Sequence, residues 1–212
     1  MNTWIARLCL ALLTLLPLAA AEPGKLVYIK SFPGSTPAYS SIILEPSGDG
    51  LYKEAVDDDA PAKFHLSAED TRAVFDLAQK LDYFKRPLES GLKVAKMGEK
   101  TFRWEVDGKP ASETKFNYTQ DENGRLLLDW FERIVESELH YFAMERSIKF
   151  DRLGINRTLI DLNVTWDRKR LVAVEQFLPM LDRIAKNESF LHMARERAAQ
   201  LATAFREKKA GE

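Results

Sequence analysis

Between Lys25 and about Tyr118 apolar residues mostly follow the period of strands, and beyond that they recur at helical spacing. Lys25–Ile29 reads as a first strand and Tyr39–Leu44 as a second. Ser47–Gly50 turns the chain into a third at Leu51–Val56, because an Asp-Gly pair between apolar runs favours a hairpin. Asp57-Asp58-Asp59 and Pro61 close it. Ser67 is placed to cap a helix whose Val74, Phe75, Ala78 and Leu81 form one face, with Glu69 and Asp70 in the first turn where the dipole favours acids. Pro87 ends that helix, and Leu88–Gly98 is a loop. Glu99–Val106 alternates with one wet face, and Asp107–Pro110 turns it into Glu113–Tyr118.

Asp121–Gly124 opens a long helix with Leu128, Phe131, Val135, Leu139 and Phe142 along its seam. The order β-β-β-α-β-β-α predicts an α+β fold, an antiparallel sheet covered by helices. The remainder is helical. Asp151–Arg168 is ambiguous, while Leu171–Lys186 and Ser189–Lys208 form a helical hairpin. Pro179 is expected to kink its first arm, and Ser189 to cap its second. Three segments result: a leader at 1–21, an α+β domain at 22–148 and a C-terminal helical region at 149–212.

The leader changes the picture most. One positive charge at Arg7, the apolar run Leu8–Leu18 and Ala19-Ala20-Ala21 have the layout of a secretory signal peptide, cut after Ala21. The run is short for a membrane span. The protein is therefore expected in the periplasm or outside the cell, with no stable membrane insertion once the leader is removed. The single cysteine, Cys9, lies inside the apolar run, where lipidation at the cut is disfavoured. The chain after Ala21 has no cysteine, which excludes disulfides, a thiolate nucleophile and cysteine-bound metal. The formal charge of −1 becomes −2 without Arg7, so no broad positive field gathers nucleic acid.

Phe32-Pro33-Gly34-Ser35-Thr36-Pro37-Ala38-Tyr39, followed by a strand and Asp49-Gly50-Leu51-Tyr52, resembles a family of uncharacterised secreted bacterial domains. That family reads Cys-x-Gly-x-Cys-Pro-x-Tyr there. The resemblance covers about residues 26–142 and rests on Gly34, Pro37, Tyr39 and the hairpin. Phe32 and Thr36 stand in place of both cysteines, as if packing had replaced one bond. It implies a fold and an exported location, and no reaction.

Motifs for catalysis are missing. There is no G-x-S-x-G elbow, and Ser112–Lys115 fits S-x-x-K only on a strand, where residues three apart face opposite ways. Glu136 and His140 share a helix face and read as an ion pair or hydrogen bond; His192 reads as packed or capped. Asp57–Asp59 lacks the spaced ligands of a calcium loop. Asn117, Asn156, Asn163 and Asn187 begin glycosylation sequons that a bacterium would leave idle. No catalytic, cofactor or metal residue is assigned.

The aromatic residues Tyr28, Tyr39, Tyr52, Trp104 and Tyr118 either fill the core or line an open sheet face as a platform for a protein, peptide or sugar. The expected function is a non-catalytic binding or interaction module of the cell envelope. A hydrolase with carboxylates from separate strands and loops, and an inhibitor or chaperone-like domain docking through its helical pair, are the alternatives.

Overall fold

The computed structural model describes residues 24–211, so the expected signal peptide lies outside the described residues. Six antiparallel strands form one sheet: β1 (Lys25–Ser31), β2 (Tyr39–Leu44), β3 (Asp49–Lys53), β4 (Ala62–His65), β5 (Glu99–Val106) and β6 (Lys109–Phe116). Their spatial order is β4-β3-β2-β1-β5-β6. Five α-helices accompany them: α1 (Ala68–Lys80), α2 (Glu122–Phe150), α3 (Ile155–Asp167), α4 (Leu178–Lys186) and α5 (His192–Gly211). The α+β architecture and the C-terminal helical hairpin predicted from the sequence are both present.

Local chemistry sets these boundaries. Ser67 Oγ accepts the Asp70 amide at 3.1 Å to start α1, and Asp121 Oδ1 accepts the Gly124 amide at 2.9 Å to start α2. Asp107 and Gly108 both have positive φ, as a two-residue turn between twisted strands requires. Pairing therefore resumes at Lys109, four residues before the predicted return strand.

Other elements depart from expectation. β4 is an additional strand after Pro61, too short to show a period, and it makes four strands precede α1. Pro179 does not kink a helix: it occupies the first turn of α4, where its missing N–H costs nothing, and a 3-10 turn at Val174–Phe177 precedes it. Ser189 caps nothing, since α5 begins at His192, and His192 is exposed and paired with Glu196 at 3.2 Å rather than packed.

Strand alternation divides the sheet into two faces. Leu26, Tyr28, Ile42, Leu44, Tyr52, Phe64, Phe102 and Phe116 point to the helices and form one core with Val74, Leu77 and Ala78 of α1 and Leu127, Phe131 and Ile134 of α2. The second core is helical: Met144 and Ile148 of α2, Ile155, Leu159 and Leu162 of α3, Leu181 and Ile184 of α4, and Ala194, Leu201 and Phe205 of α5. The apolar seam of the hairpin is thus buried against the chain's own helices. α2 belongs to both cores, and the boundary expected at 148/149 falls within it.

Candidate functional site

The covered face of the sheet ends in charge rather than carbon. Alternation along β1 runs Leu26, Tyr28, Lys30, and along β5 Trp104, Phe102, Lys100, so both lysines point to the helix side. The register sets Lys30 directly opposite Lys100. Like charges directly opposite across an antiparallel pair are destabilising. Lys100 is 4% exposed, and burial, then the neighbouring Lys30, hold its pKa below the ordinary lysine value.

α2 supplies the opposite wall. Arg125, Leu128 and Glu132 recur at helical spacing and line one hollow with Lys30, Phe32, Met97, Lys100, Asn117, Tyr118 and Thr119. Its volume is about 380 Å³. A second hollow of about 340 Å³ shares Lys30 and Glu132 with it and continues past Ser35–Pro37 to Val135, Glu136 and Arg170. The two adjoin across the Lys30–Glu132 pair, beneath the β1–β2 loop.

Hydrogen bonding leaves donors over. Lys100 Nζ donates to Asn117 O at 2.8 Å and Met97 O at 3.1 Å, with no third acceptor among the described residues. Lys30 Nζ stands 3.6 Å from Glu132 Oε1, an ion pair beyond hydrogen-bond range. The Arg125 guanidinium has no partner among the described residues, and Arg125 is exposed at the rim. Tyr28 borders the second hollow; its hydroxyl is buried and unpartnered, and burial, then Glu132, raises its pKa.

The walls are fixed in place. Asn117 clamps the 88–98 loop to the end of β6: its side chain donates to Ala95 O at 3.0 Å and accepts the Met97 amide at 2.7 Å, and its own amide donates to Glu89 at 2.6 Å. Gly98 has φ +86°, and a Cβ there would approach Phe32 Cβ to 2.7 Å, so only glycine lets this loop close on Phe32. Ser35 Oγ donates within the β1–β2 loop to Phe32 O or Pro37 O, at 2.8 and 2.7 Å. Arg170 holds the far end through Asp129 at 2.9 Å and Glu136 at 2.6 Å.

The aromatic platform does not form as one surface. Tyr28 and Tyr52 are wholly buried under the helices, Tyr28 stacked on Phe131 at 4.8 Å, because even-numbered positions of β1 and β3 face the core. Trp104 is on the same covered side, against Tyr83 at 4.6 Å and Phe75 at 6.1 Å. Tyr39 belongs to the opposite face. Val27, Ile29, Ile43 and Leu51 make an aliphatic stripe there that joins neither core. Tyr118 lines the first hollow. Sequence reasoning passed over Lys30, Lys100 and Arg125, although a lysine in phase with Leu26 and Tyr28 was a visible signal.

Other candidates separate in space. Glu136 pairs with Arg170, and His140 Nε2 lies 2.8 Å from Thr165 Oγ1, so the two do not meet around a common ligand. Ser112 pairs with Trp104 and Lys115 with Thr101, on opposite faces of the sheet. Among the described residues no three His, Asp or Glu side chains are grouped to hold a metal ion. Glu138 is 0% exposed; burial pushes its pKa up to about 7, and its Oε1 accepts from Gln176 Nε2 at 2.7 Å. Compared with known proteins, the chain matches no family model, and no curated protein or solved structure is significantly similar to it.

Proposed function

We propose that the mature chain is an exported, non-catalytic binding module of the cell envelope, and that its ligand is anionic and enters the hollow between Lys30, Lys100 and Arg125. One observation carries the reading: two lysines stand directly opposite each other on the covered side of a sheet, with a single carboxylate, Glu132, near both. Local rules of stability disfavour that placement, and conflicts of this kind concentrate where a chain is shaped for function. An anion between the two ammonium groups resolves it. The export half of the proposal rests on the charged, apolar and small-residue order of Met1–Ala21.

The alternatives draw less support. Glu138 has the shifted acidity that a hydrolase would use, but no solvent reaches it. The apolar seam that would dock a partner is spent on the second core.

The test is thermal melting of Glu22–Glu212 with small anions and their neutral counterparts at constant ionic strength, beside an esterase, glycosidase and peptidase panel. Anions raise the melting temperature of the wild type and leave Lys30→Met unmoved, with no turnover. Stabilisation absent for every anion, or turnover that Glu132→Gln abolishes, overturns the proposal.

A further inference from the structure

The geometry points to a monocarboxylate carried on an apolar, aromatic-sized body as the ligand class of this hollow. The inference rests on the anion-binding reading above and names the chemistry it left open. Three features select it together.

The charge count comes first. Lys30, Lys100 and Arg125 are opposed by Glu132 inside the hollow and by Glu89, whose charge also reaches Lys100, an excess of one positive charge. A single carboxylate fits the unused donor of Lys100 and the ammonium of Lys30, which forms no hydrogen bond of its own. Arg125 at the rim offers a planar fork that matches a carboxylate's two oxygens. A more highly charged anion meets Glu132 in the same space and is repelled.

The walls come second. Phe32, Met97, Leu128 and the ring of Tyr118 face the cavity between its cations. An inorganic anion leaves those surfaces wet, whereas an apolar body covers them and gains by leaving water. Methionine adapts to the outline of a ring or short alkyl chain. About 380 Å³ is near the lower end of small-molecule sites, room for an aryl group on a short acid rather than for a folded peptide.

The third feature is continuation. Past the Lys30–Glu132 pair the second hollow borders Tyr28, whose buried hydroxyl has no hydrogen-bond partner among the described residues. A carboxylate seated at Lys30 is bordered by ammonium groups on the strand side and by this hydroxyl's hollow on the other.

Calorimetric titration of Glu22–Glu212 with 4-phenylbutyrate, 4-phenylbutanamide and inorganic phosphate, at fixed ionic strength, tests the inference. The acid binds at least about tenfold more tightly than the amide, the margin of a hydrogen bond to a charged group. Lys30→Met removes that preference while still melting cooperatively. Phe32→Ala weakens acid and amide together. Equal binding of acid and amide, phosphate binding as tightly as the acid, or no binding of the acid overturns it. If the acid fails while other anions still raise the melting temperature through Lys30, the ligand class is wrong and the binding reading stands. If no anion acts, both fall.

Discussion

Glu132 and Glu138 lie less than two turns apart on α2 and have opposite surroundings. Glu132 has 41% of its side chain exposed, stands beside Lys30, and borders two hollows. Glu138 is sealed between the two cores with a neutral amide for company. Among the described residues no cation offsets it; the titrating groups that feel its charge are Tyr52 and Tyr141. The difference teaches how to rank buried polar groups. A charge bordering open space is available to a ligand, whereas a charge without a route to solvent answers only to pH and to folding.

The largest effects probe whether the two regions are one unit. Phe131→Ala in the sheet core and Phe205→Ala in the helical core each remove a wholly buried ring and cost about 3–5 kcal/mol. Because α2 enters both cores, either loss lowers one common transition. Denaturation followed through Trp104, in the sheet core, and Trp166, packed on Phe205 at 4.9 Å, reads this. Two separated transitions break the picture of a shared helix.

Next is Glu138→Gln. The folded-state pKa of Glu138 is raised from 4.5 to about 7, so the native state holds an extra proton between those values. Stability from this group is greatest below the unfolded pKa, declines as pH rises through the window, and is fully lost above it. Protonation also supplies a donor beside Gln176, whose Oε1 is buried and has no partner among the described residues. At pH 8 the glutamine variant is more stable than wild type by about 3 kcal/mol, and near pH 4 the two coincide. Urea midpoints at the two pH values check this; a constant difference refutes it.

Ser137→Ala is smaller. Ser137 Oγ accepts the buried Val172 amide at 3.0 Å and donates to Arg133 O at 2.9 Å, so its loss strands an N–H at about 1–3 kcal/mol. The same denaturation curves measure it. Smallest, and opposite in sign, is Lys30→Met. Removing one of two facing lysines stabilises the ligand-free chain by about 0.2–1 kcal/mol. A variant that melts higher and no longer prefers the acid to the amide separates the hollow from the fold; one that melts lower shows that Glu132 has more than compensated the repulsion.

Most of the fold was legible where a local rule acts alone. Ser67 and Asp121 announce their helices, and Asp107-Gly108 announces its turn. β4 was not legible because four residues after a proline carry no period. Pro179 was misread because interior and first-turn prolines look alike until the helix start is known. The site was half legible: phase alone puts Lys30 among core positions. Its meeting with Lys100 depends on a register between strands far apart in sequence, and no local pattern encodes that.

The shared helix also fixes which changes of length the chain can absorb. One residue inserted between Glu132 and Glu138 turns the two ends of α2 by about 100° relative to each other. Either the lysine hollow or the Glu138 seal then loses its wall. The exposed stretch 54–60 has no such dependence, so a residue added there leaves both regions in place.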